Sequence, residues 1–404
     1  MSSRLKYSIV SASTCLTVLL LIGSVLGQGA PPDETYKHIG VFTDVVSRIK
    51  SEYVEEPDMK SVTLGALNGM LEAIDPYASY LNADQYKDYQ KNKDANRADV
   101  GLILSKRFGY LQVIDAVPGS PAAKAGFTTG DMIESIKDVA TRDMPLAYVD
   151  LLLRGEAGTS VELSVVRVSH PEPQTVKLTR AILSLPPVET QMLAGQQVAY
   201  IKPGALSGAK VKETAAEIEK AQKQGAQKII LDLRSTALGD PEDGIATANL
   251  FLNKGRITYL QGQKVARQNF DADPSKAITN LPVVVLTNRG TANGAEIVAA
   301  ALVDNKRGDL VGEPTYGEAS QRKAITMDDG SAIILSIAKY YSADGKALQD
   351  NHVTPKNQVL QAEPQVEYDE NGEPLPVANE PQPQSQKKLE DDPMVKKALE
   401  LLAK

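Results

Sequence analysis

The run Leu281-Pro282-Val283-Val284-Val285-Leu286-Thr287 is almost uniformly apolar, with no alternation of polar and apolar positions. A strand that is apolar on both sides needs cover on both faces, as in a parallel sheet flanked by helices. Arg289-Gly290-Thr291-Ala292-Asn293-Gly294-Ala295-Glu296-Ile297 follows, and then an apolar helical pattern through Val298, Leu302 and Val303. Strand, tight turn and helix therefore succeed one another. Many hydrolases present a nucleophile on such a turn. This one carries no serine and no cysteine.

The surrounding sequence predicts an α/β layer. A strand is expected at Val198–Ile201, a helix over Val211–Gln222, a buried strand at Lys228–Arg234, a helix near Ala246–Leu252 and a long strand at Ala332–Tyr341. Residues 100–168 have a different texture, with short strands at 101–104, 110–114, 130–136 and 159–167. Gly119–Gly126 reads there as a short alanine-rich helix, and Leu146–Arg154 as an amphipathic one. Residues 31–95 read as helical, from Val41, Val45, Val46 and Ile49 and then Leu64, Leu67, Met70, Leu71 and Ile74. Asp75-Pro76 is the expected stop, and Gln85–Arg97 reads as a linker or a solvated helix. Beyond Gln361 the chain is rich in Pro, Glu and Gln and is expected to be disordered, with a short amphipathic helix at Met394–Leu402.

Composition narrows the function. A formal net charge of −7, 5% aromatics and no tryptophan argue against a nucleic-acid binder. At the N-terminus, Arg4 and Lys6 precede an apolar run from Ile9 to Leu26 that ends in small residues. This predicts a secretory signal over residues 1–27, cleaved after Gly27, or alternatively an uncleaved inner-membrane anchor. The chain is expected to be exported, in the periplasm or cell envelope, with no other membrane contact. Cys15, the single cysteine, lies within this segment, so thiol catalysis and disulfides are not expected in a mature chain. His38, His170 and His352 are far apart with no ligand spacing, and neither metal nor cofactor is expected.

Several ordered motifs carry a family resemblance. They are Leu71-Glu72-Ala73-Ile74-Asp75-Pro76-Tyr77-Ala78-Ser79-Tyr80-Leu81, Gly119–Gly126 with Gly130-Asp131, and Leu152-Leu153-Arg154-Gly155. Further on come Asp232-Leu233-Arg234, Gly312-Glu313-Pro314-Thr315-Tyr316-Gly317 and Ala338-Lys339-Tyr340-Tyr341. With these the chain resembles the carboxyl-terminal processing peptidases, serine peptidases of family S41 with an embedded PDZ domain. The resemblance implies a multidomain α+β protein. N-terminal helices occupy 31–95, a PDZ domain 96–182, and a ClpP/crotonase-like α/β core 183–362, with the tail at 363–404.

The resemblance also locates what has changed. The family's nucleophilic serine maps to Asn293, its general-base lysine to Glu318, and a supporting glutamine to Arg322; Asn293 and Glu318 keep the family spacing of 25 residues. A serine–lysine dyad needs a hydroxyl to attack and a neutral amine to take its proton. An amide has no comparable nucleophilic atom, and a glutamate paired with Arg322 is expected to be held ionised. Asparagine is a favoured helix N-cap, and Glu296 could complete a capping box with Asn293. In the family's oxyanion turn, Leu238 replaces the first of two glycines, leaving Gly239 and the N–H of Gly294. Thr291, Ser320 and Lys323 are nearby but fall on no family catalytic position.

The PDZ-like stretch Val100-Gly101-Leu102-Ile103-Leu104 matches the family's loop and peptide-binding strand. It implies capture of protein or peptide C-termini. Asp99 stands where the family more often has glycine, and its charge is expected to weaken carboxylate capture. Arg154 is placed to meet the negative end of a helix dipole, and the resemblance implies that it couples the PDZ domain to the core. Three readings follow: a non-catalytic peptide-binding or scaffolding homologue, an active endopeptidase trimming C-terminal regions, or a structural partner of an active paralogue joined through the N-terminal helices. A homo-oligomer through those helices is also compatible.

Overall fold

A computed structural model of the chain describes residues 34–92, 98–360 and 389–403, apart from Phe108, Ser169, Ala194 and Gln196. The expected signal or anchor segment and tail residues 361–388 lie outside the described residues. No described helix is long and apolar enough to cross a membrane. The chain divides into two units, residues 1–66 and 67–404. In the first, helix α1 (Glu34–Glu52) leaves Ile39, Val41, Phe42 and Val45 exposed. Helix α2 (Met59–Glu72) begins in this unit and ends in the next.

The second unit opens with strand β1 (Ser79–Leu81) and helix α3 (Ala83–Asn92). A six-strand antiparallel sheet follows, whose main path is β2 (Leu102–Arg107), β3 (Tyr110–Ala116), β4 (Met132–Ile136), β6 (Ser160–Arg167) and β7 (His170–Thr179) in the order β2-β3-β4-β6-β7. Helix α4 (Pro121–Lys124) lies between β3 and β4, a short strand β5 (Val139–Ala140) pairs with β4, and helix α5 (Leu146–Leu153) precedes β6. Leu111, Val113, Ile133, Val149, Leu153, Leu163 and Val165 fill the interior of this domain.

The core is a six-strand sheet in the order β17-β14-β13-β10-β9-β8. Its strands are β8 (Glu189–Leu193), β9 (Val198–Lys202), β10 (Lys228–Asp232), β13 (Val283–Thr287), β14 (Gly308–Gly312) and β17 (Asn357–Gln358). All neighbours are parallel except β8 and β9. Every residue of β13 is buried, as its uniform apolarity requires. Helices α6 (Gly208–Lys223) and α7 (Pro241–Asn249) and helix α8 (Gly294–Asp304) join the strands. Helix α8 is buried from Gly294 to Leu302, with Ile297, Val298 and Leu302 in the main core. A helix apolar all round belongs in an interior. A second, antiparallel sheet holds β1, β11 (Arg256–Gln261), β12 (Gln268–Asp271), β15 (Ser320–Thr326) and β16 (Ala332–Tyr341).

The terminal helix α9 (Pro393–Leu402) packs on the core. Met394, Val395, Ala398 and Leu402 are buried against Tyr200, Ile230, Val284 and Leu286 on one face of the parallel sheet. Asp392 caps this helix through the N–H groups of Met394 and Val395, and its carboxylate also takes Arg234 Nη1 at 2.6 Å. Arg234 in turn grips Asp232 at the end of β10 at 2.6 Å. The amphipathic pattern at the terminus is therefore a layer of the core.

Candidate functional site

Three loops leave the carboxyl ends of β10, β13 and β14, where open α/β sheets place their ligands. They carry residues 233–239, 288–293 and 313–319. Asn288 ties two of them together: its Oδ1 accepts from the N–H groups of Ser235 at 2.9 Å and Gly290 at 3.0 Å. Asn293 links the third, donating its backbone N–H to the carbonyl of Glu318 at 2.8 Å. Positions 293 and 318 thus meet in space.

Asn293 has φ 54° and ψ −122°. A side chain in that region is strained, and such strain persists where surrounding structure over-determines it. The same conformation defeats the expected capping box. An N-cap residue normally sits in the extended region and turns its side chain toward the helix; Asn293 makes no side-chain cap hydrogen bond. Glu296 points elsewhere as well. Its carboxylate accepts from the Thr315 hydroxyl, the Gly317 N–H at 2.8 Å and the Glu318 N–H at 2.7 Å. Fully buried, it has its pKa pushed up to about 8 by desolvation, against those three donors.

Glu318 and Arg322 form the expected ion pair, with the Glu318 side chain buried and that of Arg322 one-third exposed. The Arg322 guanidinium lies 4.9 Å from the ring centroid of buried Tyr77. The pairing was expected to hold Glu318 ionised. Burial outweighs it: desolvation pushes the Glu318 carboxyl above its usual range, and Arg322 opposes that shift without cancelling it.

In the oxyanion region Leu238 is half-buried and its carbonyl accepts from the Leu206 N–H at 2.7 Å. Gly239 has φ +144°, and a Cβ there would lie 1.9 Å from the Leu206 carbonyl oxygen, so only glycine fits. Gly294 opens α8 with its backbone against that of Gly244 in α7. Thr291 is buried, its hydroxyl donating to the Leu233 carbonyl at 2.8 Å and accepting from the Asn288 N–H at 3.1 Å. That hydroxyl is engaged on both sides. Ser320 Oγ lies 3.0 Å from Ser336 Oγ, and Lys323 is exposed on β15.

The β2–β7 domain packs directly on these loops. Ala237, Ala292 and Tyr316 join its apolar interior, and the Ser105 and Tyr316 hydroxyls share a short hydrogen bond. Asp115 on β3 is buried, with Oδ1 accepting from the Ala116 N–H at 2.9 Å and Oδ2 without a partner. Strand β2, with Leu102, Ile103 and Leu104, is an edge strand facing α5. Between them is a cavity of about 200 Å³ lined by Leu102, Leu104, Leu146, Leu153 and the pairs Asp99–Arg154 and Glu318–Arg322. Val100 is buried beside it and Gly101 turns the chain into β2. Arg154 caps the end of α5 and places Nε 3.2 Å from Asp99 Oδ2.

Comparison with known proteins identifies the whole arrangement. Residues 197–359 match the model of peptidase family S41 and residues 112–167 that of the PDZ domain. The carboxy-terminal-processing protease of Bartonella bacilliformis is 30% identical, over 82% of this chain and 77% of its own. The carboxyl-terminal-processing protease of Synechocystis sp. is 32% identical, over 85% of this chain and 81% of its own. The chain belongs to peptidase family S41. Its fold is similar to that of the photosystem II D1 C-terminal processing protease, with a TM-score of 0.66 at 24% identity over 85% of this chain and 92% of the other. Within this S41 chain, the antiparallel β2–β7 domain is the PDZ domain.

Parts of this S41 site lie beyond the reach of local sequence patterns. Ser105 and Asp115 join the PDZ domain to the loops of Tyr316 and Ala237, yet no local pattern marks them; Tyr316 itself lies in a quoted motif. Tyr77 and Glu296 lie inside quoted motifs, so their positions were visible although their contacts were not. Among the described residues, no group of three or more His, Cys, Asp or Glu could hold a metal ion.

Proposed function

We propose that this protein is an exported, non-catalytic S41 homologue that binds peptide C-termini through its PDZ domain, acting as a binding or scaffolding protein of the cell envelope. One observation carries the reading. Where a serine–lysine dyad would need a hydroxyl and an amine, the turn holds Asn293, and the facing loop holds Glu318 paired with Arg322. Neither position supplies a nucleophile or a neutral amine. Function follows the site rather than the fold. The edge strand β2 and its apolar groove support peptide binding by strand addition.

The test is digestion of an unstructured substrate such as casein. No turnover above that of the Asn293→Ala and Glu318→Ala variants is expected. Turnover that either substitution abolishes overturns the proposal. It would favour an active endopeptidase, a reading supported by the relatives' names and by the strained turn kept at Asn293. The exposed apolar side chains of α1 support a further role for the N-terminal helices, as a docking face for a second copy or an active paralogue.

A further inference from the structure

We propose that Asp99 is a built-in competitor for the peptide's terminal carboxylate, so that a C-terminus enters the PDZ groove only by displacing it. The inference rests on the peptide-binding reading above and assigns the residue that sets its affinity.

A PDZ domain captures a terminal carboxylate with backbone N–H groups of the loop preceding its edge strand. Here that loop runs Asp99-Val100-Gly101 into β2. Asp99 Oδ1 accepts from the Gly101 N–H at 2.8 Å. The turn that directs this N–H is locked: Gly101 has φ +80°, and a Cβ on it would lie 2.2 Å from Ser120 Cβ. The second oxygen, Oδ2, lies 3.2 Å from Nε of Arg154. Arg154 stands at the end of α5, beside the same cavity. One side-chain carboxylate therefore engages both a loop N–H and the adjacent cation.

A loop N–H and a cation are also the donors that an incoming carboxylate would compete for, since charge-assisted hydrogen bonds are the strong contacts to such a group. The Asp99 and Arg154 side chains are 22% and 39% exposed, so solvent can replace what Asp99 gives up on displacement. With Asp99 in place, a second carboxylate meets occupied donors and a like charge. The apolar part of the groove, Leu102, Leu104, Leu146 and Leu153, is indifferent to this exchange. The competition acts on the charged end of the ligand alone.

The test compares two pools of fluorescein-labelled octapeptides with random interiors and Leu, Val, Ala or Phe at the last position. One pool ends in free carboxylates and the other in carboxamides. Binding to the full chain is read by fluorescence polarisation. Asp99→Ala is expected to raise affinity for the acid pool about ten-fold and to leave the amide pool within about two-fold. Asp99→Asn, which keeps an oxygen on the Gly101 N–H and removes the charge, is expected to give a smaller gain in the same direction. It carries the test if Asp99→Ala does not fold. Equal gains for both pools, or no gain for the acid pool, overturn the proposal. Cleavage of either pool by the unmodified chain, read by mass spectrometry, counts against the non-catalytic reading and leaves this one standing. Absence of binding to every variant overturns both.

Discussion

The backbone N–H of Asn293 donates to the carbonyl oxygen of Glu318 at 2.8 Å, joining the two positions to which the resemblance maps the family's nucleophile and base. The loops after β13 and β14 are therefore held together at these two positions. Asn293 keeps φ 54° at the head of α8, and the Glu296 carboxylate still holds the loop of Thr315, Gly317 and Glu318.

If the scaffold is intact, chemistry should return only when both partners do. Asn293→Ser alone leaves Glu318 paired with Arg322 and is expected to react with a fluorophosphonate probe no faster than the parent chain. Asn293→Ser combined with Glu318→Lys and Arg322→Gln is expected to label at least about ten-fold above background, because the hydroxyl then faces an amine. In-gel fluorescence of the labelled proteins checks this. Labelling of the single variant would show that Glu318 can act as the base.

The Glu318–Arg322 pair has an asymmetric energetic role. Arg322→Ala leaves a buried carboxylate without its cation and is expected to cost about 2–4 kcal/mol in urea unfolding. Removing both charges together, as Glu318→Gln with Arg322→Gln, is expected to recover about half of that loss. The double-mutant cycle reads the coupling directly.

How much of this was legible depends on the range of the contacts involved. The β13–turn–α8 unit was visible because apolar residues on every side of Val283–Thr287 and Ile297–Leu302 leave one solution, burial on all faces. Strand β7 lies beyond Arg167, where the alternating pattern of the sequence stops. Pro171 and Pro173 interrupt its pattern, and they are tolerated because β7 is an edge strand. Strand β15 was missed because most of its residues are exposed and polar, its order coming from pairing with β16. The capping box at Asn293 failed for a tertiary reason, the loop at 315–318 claiming Glu296. Ser105 and Tyr316 meet across 211 residues of chain, which no local spacing encodes.

A pH dependence follows from Asp115. Burial pushes its pKa from 3.8 up to about 7, against the backbone N–H groups of Ala116 and Ala237 and the charge of Lys202. A carboxyl raised in the folded state contributes stability that is fully present below its unfolded pKa. That contribution is lost as pH rises through the folded value. Between pH 5.5 and 8 the parent chain is therefore expected to lose about 2 kcal/mol relative to Asp115→Asn. Urea unfolding of both proteins at the two pH values measures this. Because Asp115 faces the loop of Ala237, the same titration should loosen the PDZ contact with the core, read as faster amide exchange at Tyr316.

The terminal helix offers the last test. Met394, Val395 and Leu402 bury their side chains on the parallel sheet, each at ~1.5–3 kcal/mol. Arg234 bridges Asp392 to Asp232, whose carboxylate also accepts the Tyr200 hydroxyl at 2.6 Å. Deleting residues 393–404 uncovers Val284 and Leu286 and removes the helix that Asp392 caps. The truncated chain is expected to unfold at a markedly lower urea midpoint and to bind a hydrophobic dye. Arg234→Ala is expected to reproduce part of that loss, about 3 kcal/mol, because it strands the fully buried Asp232 without its cation. An unchanged midpoint on truncation would mean that the helix rests on the sheet without stabilising it.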